Sequence, residues 1–371
     1  MKPIQQHEGR AMFGYLTCLA VLLGAILAGP VKAEIAIPSA SDWTDHGVIA
    51  PRGTTKNSDW DWRMNGALNP GAMVRFNGKY FVYYIGARTD RRSDGGPAYR
   101  KLGVATCDVN DDCTNNGNWS KYANNPIVSH EIPSGCDEAG VFSVAALIEN
   151  NEVVLYFGGM EEGSGCNGSV DIDGVVVTSA DGFNFSPPQD AFRWSDVPHA
   201  NDEVMPVEAI RINGTYYVYY ISADWDLYVT TGTNRLDTKY NAKKILDVSP
   251  RVNEVSVVSL GGDSLAVFVL ERKYSENLFN LDIRKTTSSD PTSLSSRVDY
   301  YGESTSGWGD MAEAIVYLDE QAETWFMVYN DHPEFGSIRL KSAPMSGDSG
   351  GGGGGEVDTT PPRAPSGLTV P

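Results

Sequence analysis

The stretch Phe81-Val-Tyr-Tyr-Ile-Gly-Ala87, entered through the Asn77-Gly78 pair, decides the fold. An Asn-Gly pair accepts positive φ at both positions, so between apolar runs it predicts a tight two-residue hairpin. The run itself is rich in aromatic and β-branched residues, which suit a buried strand. The pattern recurs as Val153-Val-Leu-Tyr-Phe-Gly-Gly159 and as Tyr217-Val-Tyr-Tyr-Ile-Ser-Ala223. Weaker copies are Leu265-Ala-Val-Phe-Val-Leu-Glu271 and Trp325-Phe-Met-Val-Tyr-Asn-Asp331. Each follows an apolar run and a turn pair, at Asn150-Asn151, Asn213-Gly214, Gly261-Gly262 and Asp319-Glu320.

Working outward, each copy is followed by a third short strand: 102–106, 174–182, 227–231, 281–284 and 337–342. The unit is therefore a meander repeated every roughly 50 to 70 residues, the spacing of four-stranded blades. Helical periodicity is absent, and sequential repeats speak against a sandwich or jelly roll. The expected fold is all-β, a five-bladed β-propeller of four-stranded antiparallel blades. A sixth blade would need an unseen repeat, for which 34–60 is a candidate stretch, and this count ranks second.

The flanks divide the chain further. Residues 1–33 read as a signal peptide, with Lys2 and Arg10 ahead of an apolar stretch and Val31-Lys32-Ala33 as the cleavage site. This predicts a secreted or periplasmic protein without a membrane span in the mature chain. An uncleaved N-terminal anchor is the alternative. Residues 34–345 are the propeller, and 346–357 a Gly/Ser-rich linker. Residues 358–371 resemble the start of a fibronectin type III module and are too short to form its sandwich.

Removing Lys2, Arg10, Lys32 and Glu8 from 29 basic and 48 acidic residues leaves a formal charge of −21. Such a chain is a poor partner for nucleic acid. A basic group at Arg88, Arg91, Arg92, Arg100 and Lys101 could oppose that sign locally, or could be a solvated loop. Four cysteines follow residue 33, and the favoured disulfides are Cys107–Cys113 and Cys136–Cys166, each within one repeat. The acids of 108–112 resemble a calcium loop, but Cys113 stands where its turn glycine would be and no Glu closes it. A metal is therefore left unassigned: no cofactor is required, and calcium is admitted. A monomer is expected.

The chemistry should lie where the innermost strands begin, because those connections meet on one face. The segments there are Asp59–Pro70, Asp137–Ser143, Asn201–Glu208, Arg251–Glu254 and Trp308–Glu313. Each carries a carboxylate, and Glu208 and Glu313 share the sequence Glu-Ala-Ile. Carboxylates brought close raise one another's pKa, so one can act as acid while another stays a base. Glycosidic cleavage needs that pair. Trp60, Trp62, Trp225 and Trp308 suit sugar stacking. Structurally, the same acids could cap turns and the same tryptophans could pack between blades.

Several of these motifs resemble five-bladed glycoside hydrolases of the family 43, 32, 68, 117 and 130 grouping. They are Trp-x-Arg…Asn-Pro-Gly…Asn-Gly-Lys-Tyr-Phe-Val-Tyr-Tyr at 62–84, the segment 104–127, and Thr178-Ser-Ala-Asp-Gly182. The resemblance implies a secreted glycoside hydrolase acting on a polysaccharide or oligosaccharide by carboxylate acid/base catalysis, with inversion. In the family 43 pattern an Asp beside Pro on blade one is the base, but this chain has Asn69 there. Asp61 is the nearest substitute base. Asp137 matches the pKa-tuning role, and Glu208 or Glu203 the acid. Trp60, Trp62, Arg63, Asn69, Glu203, Glu254, Asp310 and Glu313 are expected to contact sugar. Two other functions stay open: a non-catalytic carbohydrate-binding propeller, and a polysaccharide lyase using a Tyr or His base with Arg63 or Arg272 against a uronate.

Overall fold

Among the described residues twenty strands build the fold, and the first of them joins the last blade. A computed structural model describes residues 34–54, 60–61, 69–87, 100–128, 140–160, 172–197, 203–247, 251–273, 278–301, 311–331 and 337–345. Strand β1 is Thr44–Ala50. Blade one holds β2 (Asn69–Phe76), β3 (Lys79–Ala87), β4 (Arg100–Asp108) and β5 (Ser120–Lys121). Blade two holds β6 (Val141–Glu149), β7 (Glu152–Met160), β8 (Ile172–Ser179) and β9 (Gln189–Phe192). Blade three holds β10 (Val204–Ile212), β11 (Thr215–Ser222), β12 (Leu227–Gly232) and β13 (Tyr240–Leu246). Blade four holds β14 (Val252–Gly261), β15 (Ser264–Lys273), β16 (Leu278–Thr287) and β17 (Val298–Tyr301). Blade five holds β18 (Met311–Asp319), β19 (Thr324–Asp331) and β20 (Ile338–Pro344), and β1 completes it. The chain is a five-bladed β-propeller.

The turn chemistry read from sequence is what the backbone uses. Asn77 and Gly78 sit at φ 45° and 74°, Asn213 and Gly214 at 49° and 82°, and Asn150 and Asn151 at 49° and 60°. In blade five the turn is longer than the Asp319-Glu320 pair expected: Asp319 pairs with Thr324, and Glu323 takes the positive φ of 50°.

The described residues among 34–60 form no sixth blade. Instead β1 pairs antiparallel with β20, from Thr44 opposite Ser342 to Ala50 opposite Ile338. Side chains reinforce this closure. Asp45 accepts hydrogen bonds from the Tyr329 hydroxyl at 2.8 Å and from Arg339 at 3.1 Å. The Trp43 indole N–H donates to the Tyr300 hydroxyl at 2.7 Å.

Between blades the core is aromatic and β-branched. Tyr83, Phe81, Leu155 and Phe157 fill the interface of blades one and two, and Trp325, Phe268 and Tyr329 that of blades four and five. Burying each large ring stabilises the fold by about 1.5–3 kcal/mol. The disulfide Cys107–Cys113 is present, with Cα atoms 5.9 Å apart. Cys136, Cys166, residues 1–33, the linker and the C-terminal segment lie outside the described residues.

Candidate functional site

The five innermost strands share one irregularity. Each has a β-bulge near its start: at Gly71, at Ser143-Val144, at Val207, at Asn253 and at Ala312. A bulge adds residues on one strand only, and so changes which side chains face the axis. At Gly71 the blades approach so closely that a Cβ would lie 1.8 Å from Val144 Cγ1. The residues that resume pairing after the bulges are Ala72, Ala145, Glu208, Glu254 and Glu313. Carboxylates therefore follow the bulge in blades three, four and five, and a methyl group follows it in blades one and two.

Glu208 lines a channel of about 430 Å³ bounded by 71–75, 146–150, 207–212, 255–259 and 315–318 of the five innermost strands. Its Oε1 accepts from the Ala209 N–H at 2.8 Å and its Oε2 from the Val257 N–H at 3.0 Å. Burial pushes this carboxyl up to about 7, against the pull of those two N–H groups. Glu254 is 5% exposed, and its Oε2 is buried without a hydrogen-bond partner. Its pKa lies well above the usual carboxylate range, first through burial and then through the charges of Glu313 and Glu208. Glu313 is anchored by Asn330, whose side-chain oxygen accepts from the Glu313 N–H at 3.0 Å. Three acids from three blades are thus coupled, the charges of Glu313 and Glu208 opposing ionisation of Glu254.

Arg100, the first residue of β4, completes the group. Its guanidinium lies 4.1 Å from the Phe142 ring centre. Burial lowers its pKa to about 10, opposed by the charges of Glu313 and Glu203. The sequence placed Arg100 in a basic loop group with no site role assigned. The available signal was its position at the head of the apolar run Leu102-Gly-Val-Ala-Thr106.

Other expected residues fall elsewhere. Asp61 is 4% exposed and is bound by Lys121 Nζ at 2.7 Å, on the outermost strand of blade one. Its charge is committed to tying the blade, which does not fit the general-base role expected of it. Trp60 stacks on Tyr84 at 5.9 Å between ring centres and covers Gly103, where a Cβ would lie 2.5 Å from the indole. It packs on blade one, where sugar contact was expected. Asn69 is the first residue of β2, opposite Ile85 and partly exposed. Asp137, Trp62, Arg63, Trp308 and Asp310 lie outside the described residues.

The calcium-like loop is a hydrogen-bonded turn. Asp108 Oδ1 accepts from the Asn110 backbone and side chain at 3.0 and 2.9 Å, and its Oδ2 pairs with Lys79 at 3.3 Å. Among the described residues no group of three or more His, Cys, Asp or Glu is placed to hold a metal ion. No helix among them is long and apolar enough to cross a membrane.

No protein-family model matches the chain, and no curated protein sequence matches it. Solved structures do. The β-1,2-mannobiose phosphorylase of Listeria innocua superposes with TM-score 0.53 at 12% identity, covering 84% of this chain and 93% of that one. A glycosyl hydrolase of Bacteroides ovatus gives TM-score 0.54 at 13% identity, covering 85% and 99%. The catalytic domain of a Coprinopsis cinerea GH62 α-L-arabinofuranosidase gives 0.54 at 10%, covering 84% and 98%. At these identities the likeness is one of fold. The neighbours are carbohydrate-active enzymes on five-bladed propellers.

Proposed function

We propose that this chain is a secreted enzyme that cleaves a glycosidic bond in a polysaccharide or oligosaccharide, with Glu208 as general acid. The observation that carries the reading is the convergence of Glu208, Glu254 and Glu313 behind three bulges, with Glu208 held at about 7. A carboxyl protonated near neutral pH can give its proton to a leaving sugar oxygen. Glu313, on the facing blade, is the carboxylate we assign to activate water, because Asp61 is occupied by Lys121. With water as nucleophile on the opposite side of the sugar, the product is inverted.

Asn69 favours a second reading. Where a base residue is lacking, a nucleophile already ionised in solution needs only the acid, and one neighbour in fold is a phosphorylase. A panel of plant, algal and microbial glycans, assayed with and without inorganic phosphate, separates the outcomes. New reducing ends without phosphate support hydrolysis, and sugar phosphates formed only with it support phosphorolysis. Either activity should decline as pH rises through about 7, as Glu208 loses its proton. Binding without any product would reduce the chain to a carbohydrate-binding propeller, and an unsaturated ultraviolet-absorbing product would make it a lyase.

A further inference from the structure

Asn330 breaks the pattern of the repeat. On the second strand of each blade, one residue stands opposite the residue that follows the bulge. It is Tyr83, Tyr156, Tyr219 and Leu270 in blades one to four, and Asn330 in blade five. All five are buried, Asn330 completely. An amide in a place where its counterparts are rings and an aliphatic chain is destabilising unless its polar atoms are bonded. Glu313 engages both ends of it. Asn330 Oδ1 accepts from the Glu313 N–H at 3.0 Å, and Asn330 Nδ2 donates to Glu313 Oε2 at 3.5 Å. A backbone N–H can only donate, so the amide oxygen must face it and the amide NH₂ turns to the carboxylate. The second bond is long, and charge on the acceptor would shorten it.

The other two acids face different partners. Opposite Glu208 stands Tyr219, whose hydroxyl donates to the Pro291 carbonyl at 2.8 Å, and opposite Glu254 stands Leu270, which carries no donor. Pairing resumes at Glu313 after the blade-five bulge, and a bulge re-aims the side chains beside it. By holding the Glu313 N–H and carboxylate together, Asn330 fixes where the acid points. A donated N–H also favours the charged form of a carboxyl. The charge of Arg100 acts on Glu313 in the same sense, and that of Glu254 in the opposite one. An oriented, ionised carboxylate is what a general base requires.

We propose that Asn330 is a positioning residue, holding Glu313 in the orientation and the ionised form in which it activates the attacking water. This rests on the reading of Glu313 as the water-activating carboxylate. Three variants of the full chain test it. Asn330→Leu takes the residue of blade four and removes both bonds. Asn330→Asp keeps an acceptor for the Glu313 N–H and loses the donor to the carboxylate. Val328→Ala loosens the core around the same strand without touching the amide. On a glycan that the wild type cleaves, both Asn330 variants should lose about 10- to 100-fold in kcat with KM within a few-fold. Val328→Ala should leave both constants unchanged. The acidic limb of the rate should move up by about one to two pH units in Asn330→Leu. A second measurement needs no substrate: carbon-13 NMR of the glutamate carboxyls in the folded chain, with the Glu313 signal assigned by its absence from Glu313→Gln. Its titration midpoint should rise in both Asn330 variants and stay in place in Val328→Ala. An unchanged midpoint in folded Asn330→Leu, or an equal kcat loss in Val328→Ala, would overturn the proposal. Wild-type turnover in Glu313→Gln would instead remove Glu313 from the base role, while the midpoint would still decide whether Asn330 holds it as an anion.

Discussion

Blades one and two place Ala72 and Ala145 directly after the bulge of the innermost strand, where blades three, four and five place Glu208, Glu254 and Glu313. The bulge is common to all five blades, so the backbone device that re-aims the chain is a property of the fold. The residue that follows it is what separates the two apolar blades from the three acidic ones. Blade one illustrates the packing side: Gly71 yields its space to Val144, and Asp61 spends its charge on Lys121.

The largest effect that would sharpen this contrast is on turnover. Glu208→Gln should reduce the rate on any cleaved glycan by about 10²- to 10⁴-fold, whereas Asp61→Asn should leave it within a few-fold. Comparable losses from both would erase the distinction between the blades.

The next effect is on stability against pH. Glu208 rises from an ordinary 4.5 to about 7, so the folded chain holds a proton that the unfolded chain has released. Its contribution is full below about pH 4.5, is lost as pH rises to about 7, and stays lost above. Chemical denaturation of the wild type at pH 5 and pH 7.5 should show a decline that Glu208→Gln lacks, by about 2–3 kcal/mol. An identical slope in both proteins would place Glu208 in ordinary solvent.

Smaller effects are expected in blade one. Gly71→Ala should cost about 1–3 kcal/mol by overpacking, and a second change, Val144→Ala, should restore part of it in the double variant. Thermal unfolding of the four proteins measures this coupling, and additive losses would deny the close approach. Asp61→Asn should cost about 1–2 kcal/mol through the loss of its pairing with Lys121, seen as a midpoint lower by a few degrees.

Much of the architecture was legible because the hairpin signals are local. Asn77-Gly78 and Asn213-Gly214 specify their own backbone, and the runs behind them alternate or stay apolar within a few residues. The turn after Asp319 was misjudged because its positive φ falls on Glu323, a residue with no turn preference. Glu208, Glu254 and Glu313 were legible as candidates from their place ahead of each run. Their grouping was assigned to all five blades, since nothing local distinguishes an acid beside the axis from one on the flank of a blade.

The sequence by itself determined the repeat, the strands and the tight turns, because these depend on side-chain periodicity and φ preferences within about ten residues. Tertiary structure decided the rest. It took Thr44–Ala50 to close blade five, laid Lys121 on Asp61 across sixty positions of chain, and set Glu208 against the Val257 N–H of the next blade. Those pairings depend on how blades stack and where each bulge falls, which are long-range packing events. A carboxyl acquires its pKa from that surrounding space, which its sequence neighbours do not define.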